Sequence, residues 1–530
     1  MDKMELYFRQ NVVLEPLFCR WYAWWYLISP VTAPLYVVHQ HLKNMRSFVA
    51  NPRLHAAAVS SPELIGGSYV NLPPDRAPEV QALIDHTTKS HPQFFAFAEA
   101  LKALSTLLSN HPAGMSLAEC YPKIPAPLRG YVELTYDLDN RPSFRFIEPL
   151  LYRSPYYDET AQSFLLWRID SDDRDFIFST PRLPGPESIE LARPFRDPAI
   201  DELISLRATK APFSRFEELL GTRPEQADLL RSFLTEEAPR APCPRYDGDG
   251  VRVRYFGHAC VLIESKEITV LTDPVVSHPY AAELQRYTLE DLPEKIDYVI
   301  LTHTHPDHLM FETLLQIRAR IGTIIVPRNN GAPQDPSLRL GLLQTGFRRV
   351  VELEELEELD VPGGVIMGLP FLGEHGDLDI RSKLAYLVRL AGKSVVVAAD
   401  SDALEPALYE RIRDVIGPLD VLFLGMECEG APVSWSYGSL LRTQLSRRMD
   451  QSRRLNGSNY QRAAVIVDLL APKRVYVYAM GQEPWLNHVM ALSYSADSPQ
   501  IVESNRLLDH CRQASILAER PYGQLEFILD

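Results

Sequence analysis

The segment Thr302-His-Thr-His-Pro-Asp-His308 places three imidazoles and a carboxylate, from His303, His305, Asp307 and His308, in consecutive reach of one another. Packing such groups at one turn costs desolvation and mutual repulsion unless a cation is present. Metal binding is therefore the expected chemistry. His303 and His305 fall on the same side of an extended segment, while Asp307 and His308 follow the Pro306 bend and can face a second ion. One short loop can thus nucleate two metals. The six cysteines, Cys19, Cys120, Cys243, Cys260, Cys428 and Cys511, are scattered without a C-x-x-C pair, so a thiolate site is disfavoured and a reducing, cytoplasmic setting expected.

The elements that must carry this turn are legible around it. The apolar run Tyr298-Val-Ile-Leu301 reads as a strand that ends where the motif begins. Short apolar runs at 251–256, 259–264, 269–271, 323–326, 385–390, 394–399, 421–424 and 474–478 read likewise. Helical patterns fill 404–416, 437–449 and 460–470. The class is therefore α/β, with an αββα layered C-terminal domain over 251–530. Upstream, a helix is expected over 92–110, strands at 131–138, 144–152, 164–169 and 175–179, and helical periodicity over 198–234, which makes residues 1–235 an α+β N-terminal domain. The Pro- and Gly-rich stretch 236–250 reads as the linker.

The histidine and aspartate turn resembles the signature of the metallo-β-lactamase superfamily, and Leu271-Thr-Asp-Pro274 looks like the element in which Asp273 orients the loop. The resemblance implies further ligands from later strand ends. Asp400, after Val395-Val-Val-Ala-Ala, is similar to the bridging aspartate, with Asp402 as fallback. Of the histidines beyond it, His488 is better placed than His510 for the last ligand. At the middle position the chain offers Glu374 beside His375, and neighbours in an extended segment face opposite ways, so one binds and the other supports or contacts substrate. A site of imidazoles and carboxylates with no thiolate and a carboxylate at the middle position favours iron over zinc.

Taken with Glu374, Asp400, Glu427 and a first domain of this size, the chain resembles the diiron β-hydroxylases of nonribosomal peptide synthesis. That resemblance implies an O2-dependent monooxygenase hydroxylating the β-carbon of an amino acid held as a thioester on a peptidyl carrier protein, with an external electron donor. It implies one iron on His303, His305 and Glu374, the other on Asp307, His308 and His488, and Asp400 bridging. Glu427 would be a nearby carboxylate, or else a strand-end glutamate. His258 would line the pocket, or else pack in the core. The alternative is a dizinc hydrolase of the same superfamily, a lactonase, phosphodiesterase or thioesterase; a noncatalytic interaction protein fits poorly with so complete a ligand set.

A net charge of −15 opposes nucleic acid, and 46% hydrophobic residues without low-complexity tracts describe a globular chain. The apolar stretch 12–38 is broken by Glu15, Arg20 and prolines, so it reads as part of a buried arm over residues 1–50 serving dimerisation or carrier docking, or as a membrane-surface contact, and not as a span. A homodimer is expected. The basic residues Arg442, Arg447, Arg448, Arg453 and Arg454 form either a dock for the carrier or a solvated helix face.

Overall fold

Alternation of apolar side chains with a period of two explains the C-terminal half. The computed structural model describes residues 5–61, 64, 66–241 and 243–530. Two seven-stranded sheets stack face to face. The first runs, edge to edge, through Val350–Leu353, Ile321–Pro327, Ile296–Ile300, Thr269–Thr272, Val261–Glu264, Val251–Tyr255 and Leu525–Leu529. The second runs through Glu358–Val361, Gly364–Leu369, Ala385–Leu390, Lys393–Val397, Val421–Gly425, Arg474–Tyr478 and Leu517–Glu519. Val253, Ile263 and Ile300 from one sheet meet Tyr386, Val395 and Phe423 from the other in a shared core.

The alternate residues face outward. Leu387, Leu422 and Leu424 pack under the helices Pro406–Ile416, Tyr460–Leu470 and Pro499–Gln513. Leu262, Leu271 and Val299 pack under Phe311–Ile317 and also against Trp25 and other residues of the N-terminal half. The N-terminal domain therefore covers one outer layer of the sandwich, and no helix among the described residues is long and apolar enough to cross a membrane.

Within the first half, Val12–Phe18 is a fully buried strand paired antiparallel with Gln162–Arg168. Glu15 in its middle is buried and accepts hydrogen bonds from Arg174 (2.9 Å) and Arg182 (2.8 Å). Arg174 also donates to Glu312 at 2.9 Å, on the helix that follows the histidine turn. A buried carboxylate is tolerated only with such partners. Most apolar residues of the expected arm are thus covered by this same chain.

Four local expectations differ. Phe144 and Phe146 lie in the hairpin strand Pro142–Phe146, but Glu148–Leu151 is a helical turn started by Pro149 at its first positions. Residues 175–179 form no strand; the Ile177 N–H makes an isolated bond to the His488 carbonyl at 3.0 Å. The periodicity over 198–234 resolves into three helices, Pro198–Ser205, Phe213–Leu220 and Ala227–Ser232, the second ended by left-handed Gly221. Residues 437–449 give no continuous helix; Val433–Tyr437 ends where Arg447–Ser452 has yet to begin.

Candidate metal centre

Strand ends of both sheets converge on one edge of the sandwich. Ile296–Ile300 delivers the histidine turn, Thr269–Thr272 delivers Asp273, Lys393–Val397 delivers Asp400, Val421–Gly425 delivers Glu427, and the loop after Gly364–Leu369 delivers Glu374. Two of these residues hold left-handed backbone, Asp273 at φ 31° and Glu374 at 70°, as do Ala399 before Asp400 at 48° and His258, after the strand Val251–Tyr255, at 51°. Non-glycine residues adopt this region at a cost, and such outliers gather where side chains must be aimed.

Asp273 and Thr302 set two imidazoles. The Asp273 carboxylate accepts from the Thr302 N–H (2.8 Å), the Thr302 hydroxyl (2.5 Å) and His308 Nδ1 (2.9 Å). With its proton committed to Asp273, the Thr302 oxygen accepts from His303 Nδ1 at 3.0 Å. Both rings therefore carry the proton on Nδ1 and turn the Nε2 lone pair inward. Those Nε2 atoms are buried and have no hydrogen-bond partner, as are Glu374 Oε2 and Asp400 Oδ1.

The inward atoms fall into overlapping groups. Glu374 contacts His305 Nδ1 and lies 3.5 Å from His303 Nε2. Asp400 Oδ2 lies 3.1 Å from His308 Nε2 and 3.7 Å from His303 Nε2, between the two poles. Asp307 Oδ2 is 3.7 Å from His308 Nε2 and 3.1 Å from His258 Nε2. His258 Nδ1 accepts from the Gly481 N–H at 3.0 Å, so its Nε2 bears the proton and donates to Asp307. His258 holds Asp307 and is not a free ligand.

Charge supports a cation here. Burial opposes protonation of His303, with His308, His305 and His375 adding to the effect. For His308 burial acts the same way, but Asp400 and Asp307 prevail and hold its pKa well above the ordinary value. Glu427, partly accessible from the cavity, is pushed well up by desolvation and by the carboxylates of Asp307, Asp400 and Glu374. Four acidic side chains facing one space, with orphaned nitrogens between them, are an arrangement that two divalent cations would relieve. The residues fit such a pair. A cavity of about 430 Å³ opens in front of them, lined by Pro306, Asp307, Glu374, Asp400, Glu427, Trp435 and others.

The residues offered as alternatives are placed elsewhere. The His375 ring stacks on His305 with centroids 4.8 Å apart, while its neighbour Glu374 faces the imidazoles. Asp402 turns to Arg462 at 2.5 Å and to Ser458. His510 is near the surface beside Asp468. His488, expected as the last ligand, is a correction: it sits on the helical turn Asn487–Met490, edge-on to Tyr22 at 6.4 Å, among Arg174 and Glu312, and its ring lies outside every group of candidate ligands. The loop after Arg474–Tyr478 approaches the site through the Gly481 amide on His258, and carries His488 past it. Sequence reasoning did not single out Tyr437, whose hydroxyl meets His305 Nε2 at 2.8 Å, or Lys383, whose ammonium donates to the Gly373 carbonyl at 3.2 Å beside Glu374. Neither has a spacing signal: Tyr437 ends the helix Val433–Tyr437, and Lys383 returns from the far end of the loop that carries Glu374.

Residues 7–239 match the family model described as the diiron non-heme beta-hydroxylase N-terminal domain, and residues 269–431 match the beta-lactamase superfamily domain. The chain is 40% identical over 520 residues to the 4-amino-L-phenylalanyl-[CmlP-peptidyl-carrier-protein] 3-hydroxylase of Streptomyces venezuelae, covering 97% of both. The chain belongs to the diiron β-hydroxylase family. Its fold superposes on the crystal structure of CmlA, a diiron beta-hydroxylase from that organism, with a TM-score of 0.92, 38% identity and coverage of 99% of this chain and 100% of that one. A single-substitution variant of the same enzyme gives a TM-score of 0.91. The family assignment spans both domains, which a likeness to metallo-β-lactamase hydrolases alone would not.

Proposed function

We propose that the protein is an O2-dependent diiron monooxygenase that hydroxylates the β-carbon of an amino acid carried as a thioester on a peptidyl carrier protein. The observation that carries this reading is the Glu374 carboxylate set against His303 and His305, within a chain similar end to end to a carrier-dependent 3-hydroxylase. A carboxylate at that position makes the donor set harder than the imidazole of a zinc hydrolase. His303, His305 and Glu374 would hold one iron and Asp307 and His308 the other, with Asp400 within reach of both groups.

Bound iron supplies the redox chemistry, in which the C–H bond, O2, two electrons from an external donor and two protons give the alcohol and water. The chain's own residues do the rest. Asp273 and Thr302 fix the imidazole tautomers, His258 orients Asp307, and the cavity walls hold the aminoacyl group against the site and keep bulk water out. Glu427 faces that cavity as a carboxylate whose proton affinity is raised, placed to hold or release a proton beside the reacting groups. The six cysteines are unpaired, consistent with a cytoplasmic setting.

Metal analysis with Mössbauer spectroscopy on freshly purified protein tests the reading directly. About two irons per chain, with an antiferromagnetically coupled signal, are expected. A zinc-loaded protein that cleaves esters without O2 would support the hydrolase instead.

A further inference from the structure

A second and larger space lies beside the metal cavity. This cleft of about 580 Å³ runs between the N-terminal domain and the metal domain, and it meets the metal cavity at Gly66, Gly67, Pro306 and Trp435. Pro306 belongs to the histidine turn itself. Three polar side chains of the wall are buried and unsatisfied: Trp21 Nε1, His41 Nδ1 and Asn44 Nδ2 have no hydrogen-bond partner, at 1%, 3% and 6% exposure. His41 stacks on Trp21 with centroids 4.0 Å apart, and burial lowers its pKa to about 3, so it faces the cleft as a neutral ring. Orphaned buried polar groups in a cleft wall call for a ligand with amides or hydroxyls.

The mouth differs in charge. Of the five arginines in the basic run, Arg442 lies over the Phe144 ring at 4.8 Å and Arg453 donates to the Gly376 carbonyl at 2.7 Å, so both are used internally. Arg454 donates to Gln451. Arg447 and Arg448 are exposed and have no ion-pair partner among the described residues. They stand between Leu445 and Asp450, which line the cleft. Asp450 spends its charge on the Ser434 N–H (2.9 Å) and hydroxyl (2.7 Å). Lys43, also exposed, joins the wall.

We infer that this cleft is the path of a carrier protein's phosphopantetheine arm, with Trp21, His41 and Asn44 meeting its amides and hydroxyls, and Arg447 and Arg448 receiving its phosphate and an acidic carrier helix. A neutral, amide-bearing chain ending in a phosphodiester matches a neutral polar interior behind a cationic rim. The inference rests on the carrier-dependent reading and adds the route by which the thioester reaches the irons.

Disulfide capture tests it without knowledge of the natural carrier. In the full-length, iron-loaded protein, Ser439→Cys puts a thiol in the cleft wall and Ser90→Cys puts one on an exposed helix end. Each thiolate attacks the disulfide of pantethine or of its 4′-phosphorylated form; a mixed disulfide forms and one pantetheine thiol leaves. Relative to bis(2-hydroxyethyl) disulfide, capture at Ser439→Cys should be favoured about tenfold over Ser90→Cys, because the arm is held near the thiol. Adding R447E and R448E should slow capture of the phosphorylated probe about fivefold and leave the unphosphorylated one unchanged. Adding N44L should slow both probes. No preference at Ser439→Cys, or equal capture of both probes by the parent and the charge-reversed protein, overturns the inference. Iron is measured in the same samples: two irons without selective capture sink the route alone, and selective capture on a protein holding zinc sinks the metal reading alone.

Discussion

The hydroxyl of Tyr437 stands 2.8 Å from His305 Nε2, on the side of the ring opposite Glu374, which contacts Nδ1. His305 is thereby held at both nitrogens, with Nδ1 turned to the metal position. The phenol is fully buried among Tyr26 and Tyr36 and has no route to rotate away. Tyr437→Phe keeps the packing and leaves a buried imidazole N–H unpaired. Iron affinity, measured by competition with a chelator, should fall about 10- to 100-fold with little change in fold. An unchanged affinity would mean that the hydroxyl does not orient the ligand.

Glu374 and His375 are adjacent, and the structure gives them different work. Glu374 reaches the imidazoles from a left-handed backbone position between Gly373 and His375, while His375 stacks on His305. Glu374→Gln preserves shape and removes charge, so metal content should drop toward about one iron per chain as the His303 and His305 pole empties. His375→Gln should retain both irons and lose stability. The reverse pattern in metal analysis would return the middle ligand to His375.

His258 holds Asp307 from beside the site, and His488, expected there as a ligand, lies apart from it. His258→Leu removes the donor on Asp307 and should weaken the iron near His308 by about 10-fold or more, read by chelator competition. His488→Leu should keep full iron content, since its ring lies with Tyr22, Arg174 and Glu312. Loss of one iron from the His488 variant alone would restore it as a ligand.

What could be read from the chain follows from the range of the forces involved. Strands at 393–397 and 421–425 announce themselves because burial on two faces favours continuous apolar runs, and 251–255 by alternation of apolar residues with Arg252 and Arg254. The turn at His303 to His308 is local, so its chemistry needs no tertiary knowledge. Asp400 follows the legible strand 394–399, which put it at the right edge; the strand before Glu374, Gly364–Leu369, was not read, and Glu374 stood out through the family resemblance. Tyr437 was read as the start of a helix; its task depends on Tyr36 and Tyr26 from the other domain, and no periodicity encodes that. His488 was chosen because it follows a strand, yet the loop beyond Tyr478 spends its approach at Gly481 and turns away. The short strands Glu358–Val361 and Leu517–Glu519 sit at sheet edges with exposed residues, where the hydrophobic pattern is weakest.

Glu148 gives the contact between the domains a pH dependence. It lies on the N-terminal domain, accepts from Asn329 Nδ2 (2.9 Å) and from the Ser337 N–H (2.9 Å) at the start of the helix Leu338–Gln344, and is 5% exposed. Burial raises its pKa from 4.5 to about 7; the two hydrogen bonds oppose that rise without reversing it, and the nearby Asp335 and Glu352 charges add to it. A carboxyl that binds its proton more tightly when folded stabilises the protein fully below its unfolded value and loses that contribution as pH rises through the folded one. Between about pH 4.5 and 7 this site should therefore cost up to about 3 kcal/mol of stability as pH climbs. Glu148→Gln keeps the acceptor oxygen for one partner, carries no charge and should flatten that part of the curve, leaving the variant more stable than the parent above pH 7. Urea unfolding of both proteins at a series of pH values checks it, and parallel curves across the window would show that Glu148 is already ionised in the folded state.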